Sequence, residues 1–441
     1  MIAGADQGDL DAVRPLRGEP AAHVGVPGRQ DVFRVRPGLS GKMSDGSSPA
    51  KPAWRTVLAS STAYQRALVS AANVQNSRTC PAGMRRTQTV YTVTDASSVG
   101  SATFSIFNPP SQSGAPSGSP EALTGVYAAS PTDVWAVGGA AGDPFEHWNG
   151  TSWTGQGLPA GLCTEAGNQC GVSSITGTSA GNITAEGGAI IDTGSSDVAE
   201  SAAFHFNGTS WSQMTIPVGV TLGPLAAFSA TELWSVNNNG DAEQFNGSTW
   251  TTTKLPITTT LPDLSMTSIS GSSPSDIWAG GTASTEGAEH RKAAPVLEHF
   301  NGSTWSNVTV PVTAGGLTSV LDISPADAWA IDGGSLINWN GSSWSLVNAT
   351  TQTGAAVTGS VLAALSPADV WLGGATTLDN FNGTTWTSVP VPSTAALTPA
   401  GQMLAEPGAA AAAAPGTVWF AGETITANGG ELPYAMGTSN G

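Results

Sequence analysis

Basic residues are scarce through most of this chain. Fifteen Lys and Arg stand against 32 Asp and Glu in 441 residues, and charged side chains of both signs make up only 11%. The shortage is local: residues 1–86 hold 12 basic and 6 acidic side chains, whereas from Thr87 onward Lys254, Arg291 and Lys292 face 26 acids. A body with that excess of negative charge repels phosphate backbones and anionic bilayers, which excludes nucleic-acid binding by it. It suits cationic partners or Ca²⁺, the latter only in a structural role; no other cofactor is expected. Long apolar runs are missing too, so neither a membrane span nor a signal peptide is visible. Three cysteines, Cys80, Cys163 and Cys170, are too few for a disulfide scaffold or a structural zinc site.

Asn-Gly-[Ser/Thr]-[Ser/Thr]-Trp, by contrast, is abundant. It opens at Asn149, Asn207, Asn246, Asn301, Asn340 and Asn382, each time after an aromatic residue (Trp148, Phe206, Phe245, Phe300, Trp339, Phe381). Asn-Gly between apolar residues signals a hairpin, and a two-residue type I′ turn with positive φ at both central positions is expected. The triplets are formally N-glycosylation sequons, but turn chemistry explains all of them. Upstream of each hairpin runs a second signature, clearest in Ser130-Pro131-Thr132-Asp133-Val134-Trp135 and repeated at Ser273–Trp278, Ser324–Trp329 and Ser366–Trp371. Weaker copies span Ser179–Ala185, Ser229–Trp234 and Ala414–Trp419. Proline presets φ for a turn there, and Ser and Asp bond local backbone groups.

One unit therefore reads as strand A, Ser-Pro turn, strand B with Trp, variable loop, strand C, Asn-Gly turn, and strand D with Trp. Four antiparallel strands repeating at this period predict an all-β fold, a β-propeller of seven four-stranded blades, with six or eight as the alternatives. The last blade lacks an Asn-Gly hairpin. The tail near Leu432–Met436 and a strand from before the first repeat, either Val90–Thr94 or Ala102–Phe107, can complete it and hide the sheet edges. The predicted domains are an N-terminal extension, 1–86, and the propeller, 87–441. The extension is Arg- and Pro-rich and largely irregular, with a weak helical pattern over 52–75, and is expected to be disordered or processed.

Gly pairs after strand B (138–139, 187–188, 280–281, 333–334, 373–374), the aromatic before the C–D turn, the strand D Trp and a following apolar-Pro pair such as Leu158-Pro159 or Val310-Pro311 resemble kelch repeats. The resemblance spans about 120–441 and implies the galactose-oxidase-type propeller fold, found also in secreted bacterial propellers. Galactose oxidase activity is not implied, since no Cys is placed to modify any of the 4 tyrosines. The hairpin echoes part of the sialidase Asp-box, but that family's arginine triad has no counterpart in a propeller whose sole Arg is Arg291.

Candidate chemistry divides between repeated and unrepeated positions. His147, His205 and His299 precede their turns by two residues; standing in different blades, they are expected to be solvated and too far apart to share a metal. Glu146, Glu243, Glu298 and Asp379 lie three before Asn, facing across to the strand D Trp, where they would bond backbone amides or, with a raised pKa, act as acids. Asp322 is the one clear charge on the axial strands. The A–B and C–D turns share one face of the ring, and the length variation gathers on the other: Gly155–Gly171, Ile191–Ser201 and Thr282–Val296. From these loops come the ligand-binding candidates Glu165, Asp192, Asp197, Glu286, Glu289, His290, Arg291 and Lys292, and a disulfide between Cys163 and Cys170, which would point to an oxidising compartment. The sequence thus predicts an extracellular or cell-surface, monomeric binding or scaffold module for protein or glycan. The alternative is a carbohydrate-active hydrolase or lyase using loop carboxylates.

Overall fold

In the computed structural model of the chain, the described residues are 103–107, 109, 122–138, 143–161, 169–192, 197–285, 292–312, 315–392, 403–425 and 431–438, with the backbone of five strands before residue 100. The chain divides into two compact units, Met1–Gly100 and Ser101–Gly441. In the first, Arg14–Pro15, Asp31–Val35 and Arg55–Ala59 form an antiparallel sheet, and Leu68–Val74 pairs with Gln88–Thr94. Strands therefore replace the helix expected within 52–75: Thr56, Val57, Val69 and Val74 are β-branched and favour extended backbone. The expectation of disorder or processing for 1–86 otherwise falls outside the described residues.

The second unit is a seven-bladed β-propeller. Blade 1 comprises Leu123–Ser130, Asp133–Gly138, Phe145–Trp148 and Trp153–Gln156, joined in that order as strands A to D. Blade 2 begins at Ser174, blade 3 at Leu225, blade 4 at Asp263, blade 5 at Leu317 and blade 6 at Val361, all with the same antiparallel order. Blade 7 takes Ala409–Ala414, Thr417–Ile425 and Glu431–Thr438 from the C-terminal end, and its outer strand is Phe104–Phe107. Of the two candidate closing strands, the one ending at Phe107 is used, while Val90–Thr94 pairs within the first unit. Strands A touch one another around the whole ring, blade 7 meeting blade 1.

The Asn-Gly turn is larger than expected. Trp148 pairs directly with Trp153, so four residues form the loop, and the same spacing recurs in the other five copies. Asn149 Oδ1 accepts the amides of Thr151 (2.9 Å) and Ser152 (3.0 Å), and the Asn149 amide donates to the Ser152 carbonyl (3.2 Å). One left-handed residue, Gly150 at φ 91°, lets the chain reverse. The carboxamide thus organises three further residues, which a type I′ turn would not need. Every strand A also carries a bulge just before its Ser-Pro turn, as between Ala128 and Ser130 or Ala364 and Ser366.

Aromatic rings join neighbouring blades. Trp135 of strand B packs on Phe206 (4.7 Å) and edge-on against Trp211 (5.4 Å) of blade 2. Trp234 meets Phe300 and Trp305, Trp278 meets Trp339 and Trp344, Trp329 meets Phe381 and Trp386, and Trp419 meets Trp148 and Trp153. Trp371 closes the seam to blade 7 against Phe104. Blade 2 breaks the series: Thr184 stands where the Trp should be, and the blade 2–3 seam is a smaller cluster around Ala203, Leu222, Leu233 and Trp250. The glycine three residues past the strand B Trp position abuts strand A: a Cβ at Gly138 or Gly187 would collide with the carbonyl of Ala122 or Gly171.

Candidate functional site

A cavity of about 1040 Å³ opens at the ring centre on the face of the B–C and D–A loops. Its floor is made by residues in or next to the axial strands, including Thr124, Ser173, Thr267, Ser268 and Thr318. Their hydroxyls knit the blades together: Thr124 Oγ1 donates to the Ser173 carbonyl (2.9 Å), Thr267 Oγ1 to Leu317 (2.6 Å) and Thr318 Oγ1 to Ser360 (3.3 Å). The wall toward blade 3 is the connection Ile216–Leu225 with Asn237, Asn238 and Asn239. This triplet is itself braced, Asn237 Nδ2 donating to Thr221 O (2.8 Å) and Asn238 Oδ1 accepting the Met266 amide (2.8 Å).

Blade 2 contributes the rest. Its B–C hairpin, Asn182–Asp192 with Asp197–Phe206, is unusually long and rises above the loop face. Glu186 and Glu200 of this hairpin are the charged side chains among the described lining residues. Glu186 is buried at 4% exposure, and its Oε1 accepts a hydrogen bond from Ser173 Oγ (3.0 Å). Burial pushes its carboxyl up to about 7, the Ser173 bond opposing the shift. Glu200 is exposed, as are Ile190, Val198 and Val218 beside it.

The sequence-predicted candidates fall elsewhere. Asp192 pairs with Asp197 at the hairpin tip. The exposed Lys292 closes the blade 4 hairpin through its backbone, its amide donating to Thr285 Oγ1 (3.1 Å). Lys292 is not among the described residues that line the cavity; the side chains of Asp192 and Asp197, and all of Glu165, Glu286, Glu289, His290 and Arg291, lie outside what the structure describes. Cys170 is disulfide-bonded, while Cys163 lies outside the described residues. Sequence reasoning missed Glu186, Glu200 and the Asn triplet. One signal was available: two residues past the strand B Trp position the other blades place Val137, Val236, Gly280, Ile331, Gly373 and Ala421, and only blade 2 places an acid.

The repeated residues are braces. Contrary to the solvated positions expected, the histidines are half-buried and bonded within their own blades. His147 Nε2 lies 2.9 Å from Asp133 and stacks on Trp135, and His299 Nε2 lies 2.7 Å from Asp276 and stacks on Trp278. His205 bonds Asn182 (2.9 Å), and burial lowers its pKa. Asn338 and Asn380 take the same place in blades 5 and 6, donating to Asp327 and Asp369. The acid that opens strand B thus bonds the neighbouring strand C. Among the described residues, no group of three or more His, Cys, Asp or Glu could hold a metal ion.

Glu146, Glu243, Glu298 and Asp379 are fully buried, and they do not face the strand D Trp, because the four-residue turn moves the register by two. They pair with Gly155, Thr252, Asn307 and Ser388. Side chains answer three of them, namely Thr252 Oγ1 (2.8 Å), Asn307 Nδ2 (2.7 Å) and Ser388 Oγ. Opposite Glu146 stands Gly155, so both its oxygens are sealed without a partner. Burial, with Asp143 nearby, pushes Glu146 up to about 8. Burial raises Glu298 to about 7, against its Asn307 bond, and also raises Glu243 and Asp379.

No family model matches the chain, and no curated protein matches it. Solved structures that resemble it include YCF48 bound to D1 peptide, at 14% identity over 77% of this chain and 97% of that one, with a TM-score of 0.48. YCF48 from Cyanidioschyzon merolae is 12% identical over 76% and 98%, with a TM-score of 0.47. The WD40 β-propeller domain of Doa1 is 9% identical over 76% and 98%, with a TM-score of 0.42. No helix among the described residues is long and apolar enough to cross a membrane, a statement that does not bear on β-barrels.

Proposed function

We propose that the chain is a non-catalytic binding propeller whose loop face receives a polypeptide. The observation that carries this reading is the cavity itself: a roomy, open recess where blade 2 and the Ile216–Leu225 connection depart from the repeat. Apart from Glu186 and Glu200, its described lining is hydroxyls, amides, backbone and largely aliphatic side chains, groups that meet the hydrogen-bonding edge of an extended chain. Exposed Ile190, Val198 and Val218 add an apolar rim. The reading includes a kelch-like relationship, supported by the glycines packed on strand A, and an extracellular or surface location, supported by the Cys170 disulfide.

Panning a random heptapeptide display library against the full chain tests it. Retained peptides should be lost from the variant V198D/V218D and kept by a variant altered at the opposite turns, such as T151R/T209R. Undiminished retention by V198D/V218D would overturn the proposal. A second reading has one observation in its favour: Glu186, poised near neutrality in a cavity that Glu200 also lines, has the properties of a general acid in a carbohydrate-active hydrolase or lyase. That reading requires turnover of some glycan, abolished in E186Q.

A further inference from the structure

We infer that the loop-face cavity accepts a cationic side chain, lysine or arginine, from the bound polypeptide, with Glu186 as the inner carboxylate and Glu200 at the mouth. This rests on the proposed binding role of that face. Glu186 is enclosed, yet only Oε1 is answered within the protein, by Ser173. Oε2 accepts no hydrogen bond from any described residue, although Glu186 lines an open cavity rather than a packed seam. A carboxylate so placed is short of donors, and the missing donors must come from what enters the cavity.

Among the described residues the protein offers no cation there. None of the described lining residues is basic. Of the three basic residues after Thr87, Lys254 is engaged by Asp241 at 3.0 Å and by the Asn239 carbonyl, and Lys292 sits on the blade 4 hairpin. The acid excess of this part of the chain draws cations toward the ring before contact is made. Val198 and Val218 are exposed at the same cavity and offer aliphatic surface for the stem of a long basic side chain. Glu186 occupies a strand B position that is apolar or glycine in every other blade, so the ring does not need an acid there. Its burial-raised pKa of about 7 adds a signature: cation binding favours the ionised form, so uptake releases a proton and affinity rises about tenfold from pH 6 to pH 8.

The test uses heptapeptide libraries fixed at the central position as lysine, arginine, acetyl-lysine or glutamine, displayed against the full chain and against E186Q. Gln is neutral and close in shape, and E186Q is expected to melt no lower than the parent. The parent should enrich lysine or arginine at least tenfold over acetyl-lysine and glutamine, with stronger retention at pH 8 than at pH 6. E186Q should lose both the preference and the pH dependence, and E200Q should weaken them less. Equal retention of all four libraries, or an unchanged preference in E186Q, would overturn the inference while leaving the binding role of the face standing. Failure to retain any peptide would overturn both. Spermidine bound as tightly as the best lysine peptide would overturn the assignment to a polypeptide.

Discussion

The two faces of the ring are made by the same strands and treat their polar groups in opposite ways. On the turn face the turn residues find local partners: Asn Oδ1 takes two amides of its own loop, and the acids that open strand B are bonded by His, Asn or Gln of strand C. On the loop face the repeat lapses, strand lengths diverge, and Glu186, Val198, Glu200 and Val218 are left facing a cavity. Repetition marks what seven blades need in common, which is stability. A departure from it marks a position released from that need, and there a ligand can be met.

The comparison breaks most severely at the seams beside the turns. Trp278 is buried, stacked 4.1 Å from His299 and edge-on to Trp344. W278A should cost about 3–5 kcal/mol in a denaturant melt while leaving peptide retention by the folded fraction intact.

A pH effect follows from the buried acids. Glu146 rises to about 8, and Glu186, Glu298 and Asp322 to about 7. A carboxyl raised on folding supports the folded state fully below its unfolded pKa and loses that support as pH climbs through the folded value. The chain should therefore become less stable between pH 5 and pH 9. Glu146, sealed and unpartnered, makes the largest single contribution, with an upper bound of about 5 kcal/mol. E146Q should flatten the slope and raise the melting temperature at pH 9; an unchanged slope would refute the assignment.

These effects show what the sequence made legible. Trp spacing, turn residues and blade number were readable because they are local and repeated. The size of the Asn-Gly turn was not, since it depends on where the Asn149 carboxamide points, and the error carried over to the partner of Glu146. The strand Phe104–Phe107 carries no repeat signature and could be reached only by counting blades. Glu186 was passed over because its meaning comes from the weak seam made by Thr184 and from a loop of blade 3, neither of which is near it in sequence.

Smaller effects sharpen the contrast. N301A removes the acceptor for the Ser303 and Thr304 amides and should cost about 1 kcal/mol with no change in peptide retention. V218S, at a fully exposed side chain, should move stability by less than about 0.5 kcal/mol and yet weaken retention several-fold.

Hydroxyl-radical footprinting of the full chain, alone and with its best-retained heptapeptide, puts both faces into a single experiment. The account predicts protection at Val198, Val218 and Asn239 with none at the turns 150–152 and 302–304. Protection of those turns with the loop face unchanged would contradict it.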